Sequence, residues 1–78
     1  MKLFGYAESD LPPEAVVPSA LAEVTLCASP AELRLIAAFL NHCASEMDRM
    51  GETTYDHVHL SDQHKRFQAS PHFVVASD

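Results

Sequence analysis

The residues of this 78-residue chain that are most able to do chemistry lie together in the stretch TTYDHVHLSDQHKRF, residues 53–67. This stretch holds three of the chain's five histidines, and Asp56 and Asp62 lie among them. Histidine and aspartate side chains together can ligate a metal, transfer protons or present a charged surface to another protein. The other features of the sequence help to distinguish among these three roles.

A metal site at these histidines would have to begin with His57 and His59. Two residues apart, they would lie on one side of a strand, about 6 to 7 Å apart along the backbone. Both rings could then reach one ion, but zinc sites use more than two ligands. Asp62, His64 or His72 could supply the others, yet the sequence has no second spaced pair of ligands. We therefore expect no metal or other cofactor, and we retain a small metal- or ligand-binding domain as the alternative function.

The sequence carries no catalytic signature. No G-x-S-x-G turn is present, and two glycines, Gly5 and Gly51, do not make a phosphate-binding loop. The carboxylates of Asp48 and Glu52 fall at the end of a predicted helix, where solvated charges are common. We therefore expect neither catalytic residues nor enzymatic activity.

Composition and charge narrow the choice of partner. Eleven acidic and five basic side chains give a formal charge of −6. This charge repels the phosphate backbone of nucleic acid and attracts a basic protein partner. Acidity of this size also serves to keep a protein soluble. No apolar run approaches the roughly 20 residues of a membrane span, and the first residues lack the apolar core of a signal peptide. We expect a cytoplasmic protein with no membrane partner.

In the reducing cytoplasm, Cys27 and Cys43 should be free thiols.

The chain is long enough for one domain, residues 1–78, and the elements that position the histidines can be followed along it. Residues 2–7 read as a first strand. Three prolines then predict a proline-rich loop at residues 8–21. In EVTLCA, residues 23–28, the alternation of apolar and polar side chains predicts a second strand with Val24 and Leu26 on one face.

A long helix should follow at about residues 30–50. Ser29, Pro30 and Glu32 form a capping-box start, and Gly51 is the usual residue after a helix end. We predict a buried stripe on this helix made of Leu33, Ile36, Ala37, Leu40, Cys43, Ala44 and Met47. Leu35 and Phe39 fall outside that stripe, so they either cover the margin of the sheet or contact a partner.

Two further strands complete the expected fold, a weak one in TYDHVHL at residues 54–60 and a stronger one in HFVVAS at residues 72–77. We therefore expect an α+β domain of two layers in the order β-β-α-β-β. A mostly antiparallel sheet of three to four strands would carry the long helix across one face. Water, the proline-rich loop or another chain would have to cover the other face.

Three stretches of the chain resemble the small immunity proteins of bacterial polymorphic toxin systems, in particular the family numbered thirty-two. They are EVTLCASPAELRLIAAFLNHCASEM, YDHVHLSD and HFVVAS, and the similarity covers about residues 22–76. Its most specific parts are the S-P-x-E-L run that begins at Ser29 and the acid-His-x-His-Leu-x-Asp run from Asp56 to Asp62.

The resemblance implies a non-enzymatic protein that binds and neutralises a cognate toxin. If the shared run has a common purpose, the partner-binding residues here would be Asp56, His57, His59, Leu60 and Asp62. Leu35 and Phe39 would be apolar anchors at the same interface. A homodimer remains possible.

Overall fold

The computed structural model describes residues 1–7, 11–12 and 17–78 of the chain. Within those residues, no helix combines the length and the apolar character needed to cross a membrane. The elements occur in the order β1 Phe4–Gly5, β2 Ser19–Ala20, α1 Pro30–Met50, β3 His57–His59, α2 Leu60–Gln63, a 3-10 turn Lys65–Phe67, and β4 Val74–Ala76.

Helix α1 begins and ends where the sequence predicts. The Ser29 hydroxyl accepts a hydrogen bond from the Glu32 N–H at 3.2 Å, and the Glu32 carboxylate accepts one from the Ser29 N–H at 2.9 Å. The hydrogen bond from this N–H, followed by that from the Ser29 side chain, lowers the pKa of Glu32. At the other end Gly51 adopts a φ of 84°, which favours glycine, and its N–H donates to the Met47 carbonyl at 2.8 Å. The predicted capping box and helix bounds are confirmed.

Strands β3 and β4 form an antiparallel pair that carries the histidines. His57 lies opposite Ala76, Val58 opposite Val75, and His59 opposite Val74. Val58 and Val75 pack against the core, so the alternation of a strand leaves His57 and His59 on the other face. The strands predicted at residues 54–60 and 72–77 are therefore present in shortened form.

The single sheet expected from the sequence is wrong, although the α+β class with one long helix is confirmed. The described residues form two sheets of two strands each, β1 with β2 and β3 with β4. Strand β1 is a short part of the strand expected at residues 2–7. Strand β2 lies inside the expected loop 8–21, because Ser19 and Ala20 pair with Gly5 and Phe4. Of that loop, residues 8–10 and 13–16 lie outside the described residues.

The strand predicted at residues 23–28 is also wrong. These residues have no strand assignment and no backbone–backbone hydrogen bond within the described chain, and all but Ala28 are exposed. Alternation shows only that one face of a segment is apolar, whereas a strand also needs a neighbour to pair with. Among the described residues, no strand lies beside this segment to pair with it.

The hydrophobic core lies between α1 and the chain that follows it. Its buried members are Ile36, Phe39, Cys43, Tyr55, Leu60 and Phe67, and partly buried side chains surround them. Every element from α1 to the 3-10 turn therefore contributes to one core, and β3 and β4 add Val58 and Val75 to its margin. The histidine-bearing strand β3 thus packs directly against the hydrophobic core through Val58.

The buried face of α1 agrees with the predicted stripe only in part: Ile36 and Cys43 are buried and Met47 packs against the core, as predicted. Phe39 is only 1% exposed, whereas Leu33 and Leu40, placed in the expected stripe, are each 45% exposed. Leu35 is partly buried against the core. Apolar residues surround most of this helix, so periodicity alone could not choose the face, and the helix turns its largest side chain, Phe39, inward.

Candidate functional site

Five side chains form the best candidate for a functional surface, which we call the histidine surface. It is defined by Asp56, His57, His59, Asp62 and His72. Strand β3 presents His57 and His59, helix α2 presents Asp62, and His72 lies two residues before β4. Because residues 72, 74 and 76 alternate in the same sense, His72 falls on the face that carries the other two rings.

The three imidazole rings form a continuous row. His57 and His59 have ring centroids 5.3 Å apart with an interplanar angle of 67°. His59 and His72 are 5.4 Å apart at 85°. These edge-to-face arrangements are typical of neighbouring aromatic rings. From the sequence, His72 was expected only as a further metal ligand. Its place in this row depends on the register of β4 against β3 and was not predicted.

A carboxylate lies beside each of the two β3 histidines. Asp56 Oδ2 is 2.9 Å from His57 Nδ1, within hydrogen-bond distance, and Asp62 Oδ2 is 4.0 Å from His59 Nδ1. The Asp56 side chain is 90% exposed and the Asp62 side chain 72% exposed. Contacts between side chains this exposed contribute little to folding stability, so these carboxylates remain available to groups of another molecule.

Buried contacts beneath the histidine surface hold it in place. Leu60, which follows His59, is 3% exposed, and its N–H donates to the Phe73 carbonyl at 2.8 Å. Tyr55 is also buried, and its hydroxyl donates to the Val75 carbonyl at 3.2 Å. Both contacts tie the residues on either side of β3 to the chain at β4 or directly before it. A surface supported in this way loses less entropy when it binds a partner.

Burial, followed by the neighbouring Cys43 thiol, raises the pKa of Tyr55 to about 12. The phenol therefore stays protonated over the physiological pH range and keeps its hydrogen bond to the β4 backbone. Its role is structural, since Tyr55 is only 5% exposed.

The structure separates the partner-binding residues expected from the sequence into two groups. Asp56, His57, His59 and Asp62 come together on the histidine surface. Leu60 and Phe39 lie in the core instead, and Leu35 is partly buried against it. These three side chains can support a binding surface, but Leu60 and Phe39, at 3% and 1% exposed, have almost no area with which to form one.

Metal binding gains no support from this geometry. In the described ranges 1–7, 11–12 and 17–78, no group of three or more His, Cys, Asp or Glu side chains is arranged to hold a metal ion. The His64 ring meets the Phe67 ring edge to face, with centroids 6.4 Å apart and an interplanar angle of 72°. Cys43, a possible soft ligand, is buried in the core.

A shallow groove of about 280 Å³ adjoins the histidine surface at His72. The apolar side chains of Ile36, Phe67 and Phe73 line it. Residues 25–28, the segment without a strand assignment, also line it. The groove therefore connects the start of α1 to the histidine row.

Comparison with known proteins gives one match. The family model described as immunity protein 32 matches residues 23–77, which include α1, β3, α2, the 3-10 turn and β4. No curated protein and no solved structure matches the chain. The matched range contains every residue of the histidine surface and lacks the β1–β2 pair.

Proposed function

Because the chain belongs to the immunity protein 32 family, we propose that it neutralises a cognate bacterial toxin by binding it through the histidine surface. The family match supports the immunity role. The histidine surface supports the location, since exposed rings and carboxylates are grouped there next to the packed core.

The charge of the chain suits a basic partner. The formal net charge is −6 with neutral histidines, and Asp56 and Asp62 place two of the acidic groups at the histidine surface itself. Opposite charges across an interface mainly accelerate association and select the orientation of the partners. We therefore assign the carboxylates to steering a basic patch of the toxin.

The imidazole rings supply the contact area. His57 and His59 keep 48% and 33% of their side chains exposed, and the exposed His72 extends the row. A flat aromatic ring gives contact area with little rotamer entropy to lose, and its ring nitrogens add hydrogen bonds. These three rings therefore replace Leu35 and Phe39 as the central contacts of the proposed interface.

In this proposal the chain protects the cell by staying bound to the toxin domain, and it carries out no chemical step. A toxin domain held against the histidine surface cannot present the same residues to its substrate. The tighter the complex, the smaller the free toxin fraction, because binding follows mass action.

Co-expression with the toxin domain encoded by the adjacent gene tests the proposal. Cells that produce both proteins should grow, and the two should co-purify. His59→Ala should reduce both growth and co-purification. His42→Ala is a matched control, since it removes an exposed histidine on α1. Growth that is lost equally with both variants, or no protection by the unaltered chain, would contradict the proposal.

A further inference from the structure

The histidine surface groups side chains that can change charge near neutral pH. Histidine takes up a proton as the pH falls from about 8 to 5, a range in which aspartate stays mostly ionised. His57 and His59 keep 48% and 33% of their side chains exposed, and His72 is also exposed. Protons can therefore reach all three rings without any opening of the core.

We infer that protonation of this ring row releases the toxin, so that the chain binds it tightly at about pH 7.5 and weakly at about pH 5.5. The inference rests on the proposed function, because it concerns the regulation of the same surface. With neutral rings, Asp56 and Asp62 give the histidine surface a formal charge of −2, and protonation of all three rings changes it to +1. A surface of that sign repels the basic partner that the carboxylates attract at higher pH.

The neighbouring elements do not remove this gain of positive charge. Glu32 at the start of α1 lines the groove together with His72, and Arg66 on the 3-10 turn interacts electrostatically with Glu32. On β4, Ala76 and Val74 lie opposite the two β3 histidines and carry no charge. These neighbours set the charge from which the surface starts. They leave the increase on protonation unchanged.

Protonation also draws the two aspartates away from the partner. Asp56 Oδ2 is 2.9 Å from His57 Nδ1, and Asp62 Oδ2 is 4.0 Å from His59 Nδ1. Hydrogen bonds that join charged groups are roughly twice as strong as those between neutral groups. Each protonated ring therefore holds its carboxylate more firmly, and that carboxylate steers a basic patch of the toxin less effectively. Both effects of acid weaken binding.

Proton uptake and toxin binding are linked reciprocally. If protonation of the row weakens binding, then a bound basic toxin must oppose protonation to the same extent. Neighbouring ring centroids are 5.3 and 5.4 Å apart, so a single contact patch of the toxin can cover the whole row. Formation of the complex at about pH 6.5, where histidine is partly protonated, should therefore release protons.

Association rates at two pH values test the inference. For the unaltered chain, the association rate with the adjacent-gene toxin domain should fall roughly tenfold or more between about pH 7.5 and 5.5. A variant with His57→Gln, His59→Gln and His72→Gln cannot take up these protons and should lose most of that pH dependence. His42→Gln, which removes an exposed histidine on α1, should retain it. Equal pH dependence in the triple variant and the unaltered chain, both folded by circular dichroism, would overturn the inference.

Calorimetry provides a second readout that does not require the triple variant to bind. Titration of the unaltered chain with the toxin domain at about pH 6.5, in two buffers of different ionisation enthalpy, should show net proton release. His72→Gln should release fewer protons. Proton uptake, or no proton change, would overturn the inference. Binding that is equally strong at both pH values would overturn this inference alone, whereas no binding at about pH 7.5 would overturn the proposed function with it.

Discussion

The ring of Phe39 meets the ring of Phe73 edge to face, with centroids 6.3 Å apart and an interplanar angle of 71°. Phe39 comes from the middle of α1, and Phe73 immediately precedes β4. The Phe73 carbonyl also accepts the N–H of Leu60, the residue that follows the histidine-bearing strand. One aromatic contact thus links the long helix to the element that supports the histidine surface.

Replacing Phe39 by Ala should cost about 3 to 5 kcal/mol of folding free energy, because the variant leaves a cavity at a side chain that is 1% exposed. Leu40→Ala, next in sequence but 45% exposed, should cost about 1 kcal/mol or less. Urea titration of both variants measures the difference. A larger loss at Leu40 than at Phe39 would mean that α1 presents the opposite face to the core.

Folding stability should fall at high pH because of Tyr55, whose pKa is raised to about 12. In the unfolded chain this phenol loses its proton near pH 10, so between about pH 10 and 12 the unfolded state binds fewer protons than the folded state. The free energy of unfolding should therefore decrease with pH across that window.

Tyr55→Phe isolates this effect. The variant should lose about 1 kcal/mol at neutral pH, together with the hydrogen bond to the Val75 carbonyl. Its stability should then decline less steeply above pH 10 than that of the unaltered chain. Denaturant titrations at a series of pH values test the difference, and parallel declines would show that Tyr55 is not the titrating group.

The two cysteines should differ in reactivity. Cys27 is exposed, so a thiol reagent should modify it quickly in the folded protein, whereas Cys43 is buried and should react only as the chain unfolds. We also expect no disulfide between them. Mass spectrometry after timed alkylation measures both rates, with Cys27→Ser as the control that leaves one slow site. Fast modification of Cys43 in the folded protein would contradict its burial in the core.

Local signals in the sequence predicted the features of the fold that depend on a few neighbouring residues. The cap at Ser29 and the glycine at Gly51 determine the helix bounds by direct hydrogen bonds and backbone geometry. The spacing of His57 and His59 likewise predicted that both rings lie on one side of β3. These features require no knowledge of distant parts of the chain.

Features that depend on distant partners were predicted wrongly or missed. Alternation in residues 23–28 could not show that they pair with no strand of the described ranges. The inward turn of Phe39 depends on Phe73, which is far along the chain. The place of His72 in the ring row depends on the register between β3 and β4. In each case, tertiary pairing and packing determined the outcome.

The association rate of the toxin with charge-reversed variants tests the central proposal most directly. Asp62→Lys alters the histidine surface, and Asp48→Lys makes the same charge change at an exposed position on α1. We expect Asp62→Lys to slow association with the adjacent-gene toxin domain markedly more than Asp48→Lys does, and added salt to reduce that difference. Equal association rates for the two folded variants would contradict toxin binding at the histidine surface.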